Sequence, residues 1–214
     1  MPAKVSNAAK RVMDFTIAIV GLIALSPLTL ILALWIRWRM GSPVLFRQCR
    51  PGYHARPFTM IKFRTMTVGD TAATHPSDSG RITPLGESLR HYSLDELPQL
   101  WNVMKGEMSI VGPRPLLMEY LPRYTPKQAR RHDVKPGITG WAQVQGRQDI
   151  PFSRRLELDV WYVDHQSFWL DLKILWLTLT KMLRGSGVRS GQDVRLVDDV
   201  GLHPATHKRE GVHD

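Results

Sequence analysis

Apolar positions run without a charge from Phe15 to Ile36. A helix that crosses a bilayer needs about 20 such residues, so length alone allows a span. Two features argue against a straight one. Ser26-Pro27 interrupts the run near its middle, and a proline inside a helix removes a hydrogen bond and kinks it. Both flanks are also basic, Lys10 and Arg11 before and Arg37 and Arg39 after. The excess of cations on cytoplasmic loops would then keep both ends on one side. The pattern predicts a helix–break–helix hairpin that enters one leaflet and returns, with the Ser26 hydroxyl covering the carbonyl that Pro27 leaves free. A full span and a buried helix of a soluble protein are the alternatives. A cleaved signal peptide fits poorly, because the flank after the run is basic and carries no clear small-x-small site.

The pattern then shortens. Val44-Leu45-Phe46 and Phe58-Thr59-Met60-Ile61 read as strands, with a turn at Arg50-Pro51-Gly52-Tyr53-His54 between them. Alternation along the second puts Lys62 and Arg64 on one face, either as a solvated edge or as a two-cation clamp for phosphate. Residues 68–80 are rich in Ser, Thr, Asp and Gly and read as a mobile loop. Helices are expected from Pro84 or Leu85 to Tyr92 and from Leu97 to Met104, and a strand over Met108–Val111. Gly112-Pro113-Arg114-Pro115 follows as a rigid, extended segment carrying one cation. Leu116–Tyr124, Pro126–His132 and Phe152–Tyr162 read as helical, and Trp141–Val144 as a strand closed by Gly146-Arg147. In Ser167–Arg184, Trp169, Leu172, Leu175, Trp176, Leu179 and Leu183 recur at helical spacing. Asp171, Lys173 and Lys181 interrupt that face, so this helix either faces a core or lies in a membrane interface. From Gly185 the chain is polar and loosely held.

Charge narrows the partners. The 214 residues carry a formal +10, which favours nucleic acid, phosphorylated small molecules or an acidic membrane surface. No nucleic-acid fold signature is present, so nucleic acid is not expected. No P-loop, G-x-G-x-x-G or H-E-x-x-H occurs. Cys49 is the only cysteine, which rules out an internal disulfide. Acidic pairs are scarce against this basic background, and one lies in Ser93-Leu94-Asp95-Glu96-Leu97-Pro98-Gln99. Ser93 and Glu96 fit a capping box, which would put both acids in a first helical turn. The other reading makes one carboxylate a nucleophile and the other a metal ligand or acid/base partner.

Several ordered segments decide between the two. Ser26-Pro27, Lys62-Phe63-Arg64-Thr65-Met66, Ser93–Gln99, Gly106–Pro115, Arg131–Val144 and Leu158–Val163 together resemble the monotopic phosphoglycosyl transferases among bacterial sugar transferases. Within them the chain is most similar to the minimal, bacillosamine-type undecaprenyl-phosphate phosphosugar transferases, which lack extra N-terminal membrane helices. The resemblance implies transfer of a sugar-1-phosphate from a UDP-sugar to undecaprenyl phosphate with release of UMP. The sugar it favours is an N-acetylated amino or diamino sugar, with a hexose-1-phosphate as the alternative. Asp95 would be the nucleophile of a covalent aspartyl-phosphosugar intermediate, and Glu96 would help hold Mg2+. Lys62, Arg64 and Arg114, which lie in the matched motifs, and Arg147, just past one of them, are the candidate substrate-binding cations. A non-catalytic basic membrane-surface protein is the rival from another class.

The expected fold is α/β in a loose sense, mostly helical with a small sheet. Residues 1–40 would form the membrane hairpin and its basic flanks, 41–187 a catalytic domain at the interface, and 188–214 a loose tail. The expected location is the cytoplasmic face of the bacterial inner membrane, held there by anionic lipid. No stretch identifies a dimer interface, so the oligomeric state stays open, a dimer included.

Overall fold

The structure is a computed structural model and describes residues 7–67, 81–146, 150–183 and 199–201. Two N-terminal helices, α1 (Asn7–Ala24) and α2 (Ser26–Met40), meet at Leu25 with a bend of 62°. The bend has a local cause. Pro27 has no N–H for the carbonyl of Ile23, and the Ser26 hydroxyl donates to that carbonyl instead, at 2.7 Å. No single described helix is long and apolar enough to cross a membrane, whereas this bent pair is so in length and composition taken together.

An antiparallel hairpin follows, β1 (Leu45–Pro51) and β2 (Pro57–Phe63), in register from Leu45 opposite Phe63 to Pro51 opposite Pro57. Then come α3 (Pro84–His91), a 3-10 turn over Leu94–Glu96, α4 (Gln99–Lys105) and β3 (Ser109–Val111). Two 3-10 segments, Met118–Arg123 and Arg130–Asp133, flank the short α5 (Pro126–Ala129). The chain continues through β4 (Gly137–Thr139), α6 (Trp141–Gln145), α7 (Phe152–His165) and α8 (Phe168–Leu183). Mostly helical with little sheet is therefore right, although the described strands form two separate two-stranded ladders, β1–β2 and the parallel pair β3–β4.

The main core gathers Ala18 of α1, Met60 of β2, Val103 of α4, Ile110 and Val111 of β3, and Ile174 of α8. A second cluster seats Leu32 and Ile36 of α2 against Phe63 and Leu89. Both arms of the bent pair are also tied to the rest by charge. Arg11 donates to the carbonyls of Val103 (2.6 Å) and Met104 (2.7 Å) at the end of α4. Lys10 sits between Asp14 (3.1 Å) and Asp171 (2.8 Å), and Asp14 accepts the N–H of Ile110 at 3.1 Å. Asp171, which interrupted the apolar face of the last helix, is thus a fully buried partner of Lys10. The opposite face of α8 is bare, with Trp169 71% and Trp176 66% exposed.

Two local expectations are corrected. Trp141–Val144 is helix, not strand. The strand lies just before it, because β4 pairs with β3 through a glycine joint that admits no side chain. A Cβ on Gly137 would stand 2.1 Å from the backbone nitrogen of Gly112. Nor does Ser93 cap a helix. It adopts a left-handed backbone with φ 56°, and its side chain makes no capping bond. Helix α4 starts only at Gln99, with Pro98 at the cap position, where a missing N–H costs nothing. The expected loop at 68–80 and nearly all of the tail 188–214 lie outside the described residues.

Candidate active site

The acidic pair sits on the 3-10 turn between α3 and α4. Its tight geometry sends the two adjacent carboxylates to different surroundings. Glu96 is gripped: its Oε1 accepts from Lys62 Nζ at 2.8 Å and from an Arg114 guanidinium nitrogen at 2.7 Å. Lys62 comes from the end of β2, which lies against the Leu94–Glu96 segment, and Arg114 from the proline-framed segment after β3. Asp95 is 8% exposed, and among the described residues no side chain donates a hydrogen bond to it.

Electrostatics separates the two acids further. Burial would raise Glu96, but the charges of Arg114 and Lys62 outweigh it and hold this carboxyl far below the usual range. Asp95 goes the other way: burial and the neighbouring Glu96 charge push it up, against the pull of Lys62, Arg114 and Arg90. Burial also lowers Lys62, in spite of the two acids beside it. Arg114 is held more firmly protonated by Glu96. Glu96 is thus an anchored anion, and Asp95 a carboxylate that its surroundings leave under-stabilised. An under-stabilised carboxylate is the more basic and the more nucleophilic of two.

Of the cations singled out in the sequence, the structure brings Lys62 and Arg114 to the dyad. Arg64 goes elsewhere. The alternation that put it beside Lys62 holds only while the strand continues, and β2 ends at Phe63. The Arg64 side chain turns back and donates to the carbonyls of Met40, Gly41 (2.9 Å) and Ser42 (3.0 Å) at the end of α2. It is 6% exposed and serves as a bolt on that helix. Replacing Arg64 with Met is expected to lower unfolding stability by about 2 kcal/mol, the scale of lost bonds from a charged donor. A denaturant midpoint equal to that of the parent would refute this placement. Arg147 lies outside the described residues.

Arg90 was present in the sequence only as an upstream cation. In the fold its Nε donates to Thr65 Oγ1 at 2.9 Å, and its charge acts on Asp95. Its position five residues before Asp95 gave no geometric hint of this, because the left-handed Ser93 turns the chain back on α3.

A carboxylate pair ringed by lysine and arginine, in a chain with surplus positive charge, is suited to anionic phosphorylated substrates. Such a cluster is of the kind that enzymes acting on phosphate esters use. The chain belongs to the bacterial sugar transferase family, whose family profile matches residues 5–185. It is 54% identical over 186 residues to the uncharacterized sugar transferase EpsL of Bacillus subtilis, a match that covers 86% of this chain and 92% of that one. Over 187 residues it is 42% identical to the UDP-glucose:undecaprenyl-phosphate glucose-1-phosphate transferase of Xanthomonas campestris, covering 82% of this chain and 39% of the relative. Over 201 residues it is 37% identical to the undecaprenyl-phosphate galactose phosphotransferase of Salmonella typhimurium, covering 85% and 42%. The chain thus spans nearly all of the first relative and less than half of the other two.

Proposed function

We propose that this protein transfers a sugar-1-phosphate from a UDP-sugar to undecaprenyl phosphate. The observation that carries the reading is the division of labour in the dyad: Glu96 held by two cations, Asp95 buried beside it with no side-chain donor among the described residues. An Asp95 oxygen attacks the sugar-linked phosphorus, the bond to the UMP oxygen breaks, and UMP leaves. The sugar phosphate then sits on Asp95 as an acyl phosphate. A phosphate oxygen of the lipid attacks the same phosphorus, expels the Asp95 carboxylate and yields the diphosphate-linked sugar. Lys62 and Arg114 offset the charge that accumulates as an acid meets a diphosphate. The relatives named for glucose and galactose support a neutral hexose over the N-acetylated amino sugar that the subgroup resemblance favoured.

Magnesium fits the residues present. Lys62 and Arg114 both use Oε1 of Glu96, which leaves its second oxygen for a hard cation. Magnesium commonly takes one or two protein carboxylates, with waters and substrate phosphates completing the shell. No cluster of three acidic, His or Cys ligands occurs among the described residues, and none is required. When bound, the ion would neutralise diphosphate charge.

The same reading gives the bent pair and the bare face of α8 a role. A long-chain lipid phosphate stays in the bilayer and a UDP-sugar stays in water, so the reaction belongs at the interface, on the side where nucleotide sugars are made. Helices α1 and α2 would form a re-entrant hairpin, and Trp169 and Trp176 would lie at headgroup depth. Lys and Arg near these surfaces would favour anionic lipid on the cytoplasmic face.

The test is intact-mass spectrometry after mixing the full chain with magnesium and a panel of UDP-hexoses and UDP-N-acetylated sugars, without lipid acceptor. The expected result is one added phosphosugar mass, which names the sugar, and its loss when undecaprenyl phosphate is supplied. UMP release only in the presence of lipid, with no adduct from any donor, would mean direct transfer and would remove Asp95 from its role.

A further inference from the structure

The segment that delivers Arg114 poses a problem of attachment. In Pro113-Arg114-Pro115 two of three residues have no N–H, so neighbouring structure can hold this backbone mainly through its carbonyls. Two are held. The carbonyl of Pro113 accepts the N–H of Gly137 at 3.0 Å. That of Arg114 accepts from a guanidinium nitrogen of Arg131 at 2.7 Å.

Arg131 is unusual in its own right. It is 2% exposed, and its charge is matched by Asp159 of α7, 4% exposed, through two bonds of 2.6 and 3.1 Å. A third nitrogen reaches the Tyr124 hydroxyl at 3.3 Å. A buried ion pair is weak as a source of stability, because desolvation offsets most of the attraction. This one lies away from the dyad yet ends on the backbone of the residue that grips Glu96. The guanidinium fork has three directions to offer, one each for acid, hydroxyl and carbonyl, which an ammonium cannot reproduce in a fixed plane.

We propose that Arg131 is a positioning residue for the dyad: seated on Asp159, it fixes the carbonyl of Arg114 and so keeps the Arg114 side chain on Glu96. The proposal rests on the transferase reading for its kinetic consequence, though not for its structural one.

The test uses two variants of the full chain in lipid nanodiscs. Arg131→Lys retains the charge. Arg131→Met combined with Asp159→Leu removes the pair as a unit and leaves no buried unpaired charge, so the fold should persist. In the double variant kcat should fall on the order of 10- to 100-fold, the scale of a displaced reacting group, while KM for the donor stays within about twofold. In an Arg114→Ala background the same two changes should add little further loss, because they act through Arg114. Arg131→Lys should share the defect in kcat. Independently of activity, hydrogen–deuterium exchange at the Gly137 amide should quicken in both variants, since its acceptor lies in the loosened segment, with no change in β1–β2. A stably folded double variant with parental kcat would reduce Arg131 to a structural role and overturn the proposal. Unaltered exchange at Gly137 would overturn it too. If the parent protein releases UMP from no donor, the transferase reading has failed, and the exchange measurement alone decides the positioning claim.

Discussion

Asp95→Asn is expected to abolish turnover, by roughly 10³-fold or more on the proposed role of Asp95 as covalent nucleophile, and to leave the fold intact. The second half of that expectation is the more diagnostic. Asp95 is buried beside Glu96, and both facts disfavour its charged form. A carboxyl whose folded pKa lies above its unfolded one weakens the fold as pH rises through that interval. At neutral pH, removing the charge should therefore cost no stability and should add some. Thermal unfolding of parent and variant, beside UMP release, checks both halves. An inactive variant that is also markedly less stable would mean that Asp95 supports the fold, and its loss of activity would then say nothing about a nucleophile.

Glu96→Gln should behave in the opposite way. It removes the anion shared by Lys62 and Arg114. Breaking a largely buried pair on one side costs about 3 kcal/mol, and activity should drop by on the order of 100-fold with it. The pH dependence has a definite sign. The two cations hold the Glu96 carboxyl below its usual range, so its contribution is complete above the unfolded value of about 4.3 and fades as pH falls below it. The stability gap between parent and variant, measured by denaturant titration with divalent ions chelated, should be flat from about pH 7 to 5 and should narrow in more acidic buffer. A gap that widens with acid would contradict the ion cluster drawn here.

How far the sequence reveals such a site depends on whether the signal is local. The broken apolar run is local, and both the bend at Leu25 and the use of the Ser26 hydroxyl follow from Pro27 alone. The apolar spacing of α8 is local as well, and it marked the helix; which side packs on the core, with Asp171 and Ile174 buried and Trp169 and Trp176 exposed, is set by the rest of the fold. Lys62, Asp95, Glu96 and Arg114 were each legible as chemistry. Their convergence was not, since Lys62 meets Glu96 across 34 residues and Arg114 meets it across 18. Arg64 misled because alternation was extended one residue past the strand end. Ser93 misled because a capping box and a left-handed turn can share one sequence, and only the packing of α3 against the dyad turn selects the latter. The Arg131–Asp159 pair joins residues 28 positions apart, and one basic residue in a basic segment carries no mark that it will be buried.

The two arginines that anchor the bent pair have a mechanical consequence. Arg11 fastens α1 to the end of α4, and Arg64 fastens the end of α2 from the tip of β2. With both feet braced, the angle at Leu25 is not a free hinge. A rigid wedge of this kind cannot follow changes in lipid thickness by opening or closing. In the proposed re-entrant placement, the surrounding lipid would thin, thicken or tilt to meet it, at a fraction of a kcal/mol per ångström. The elastic compliance would then belong to the bilayer, and the protein would set the depth of the dyad.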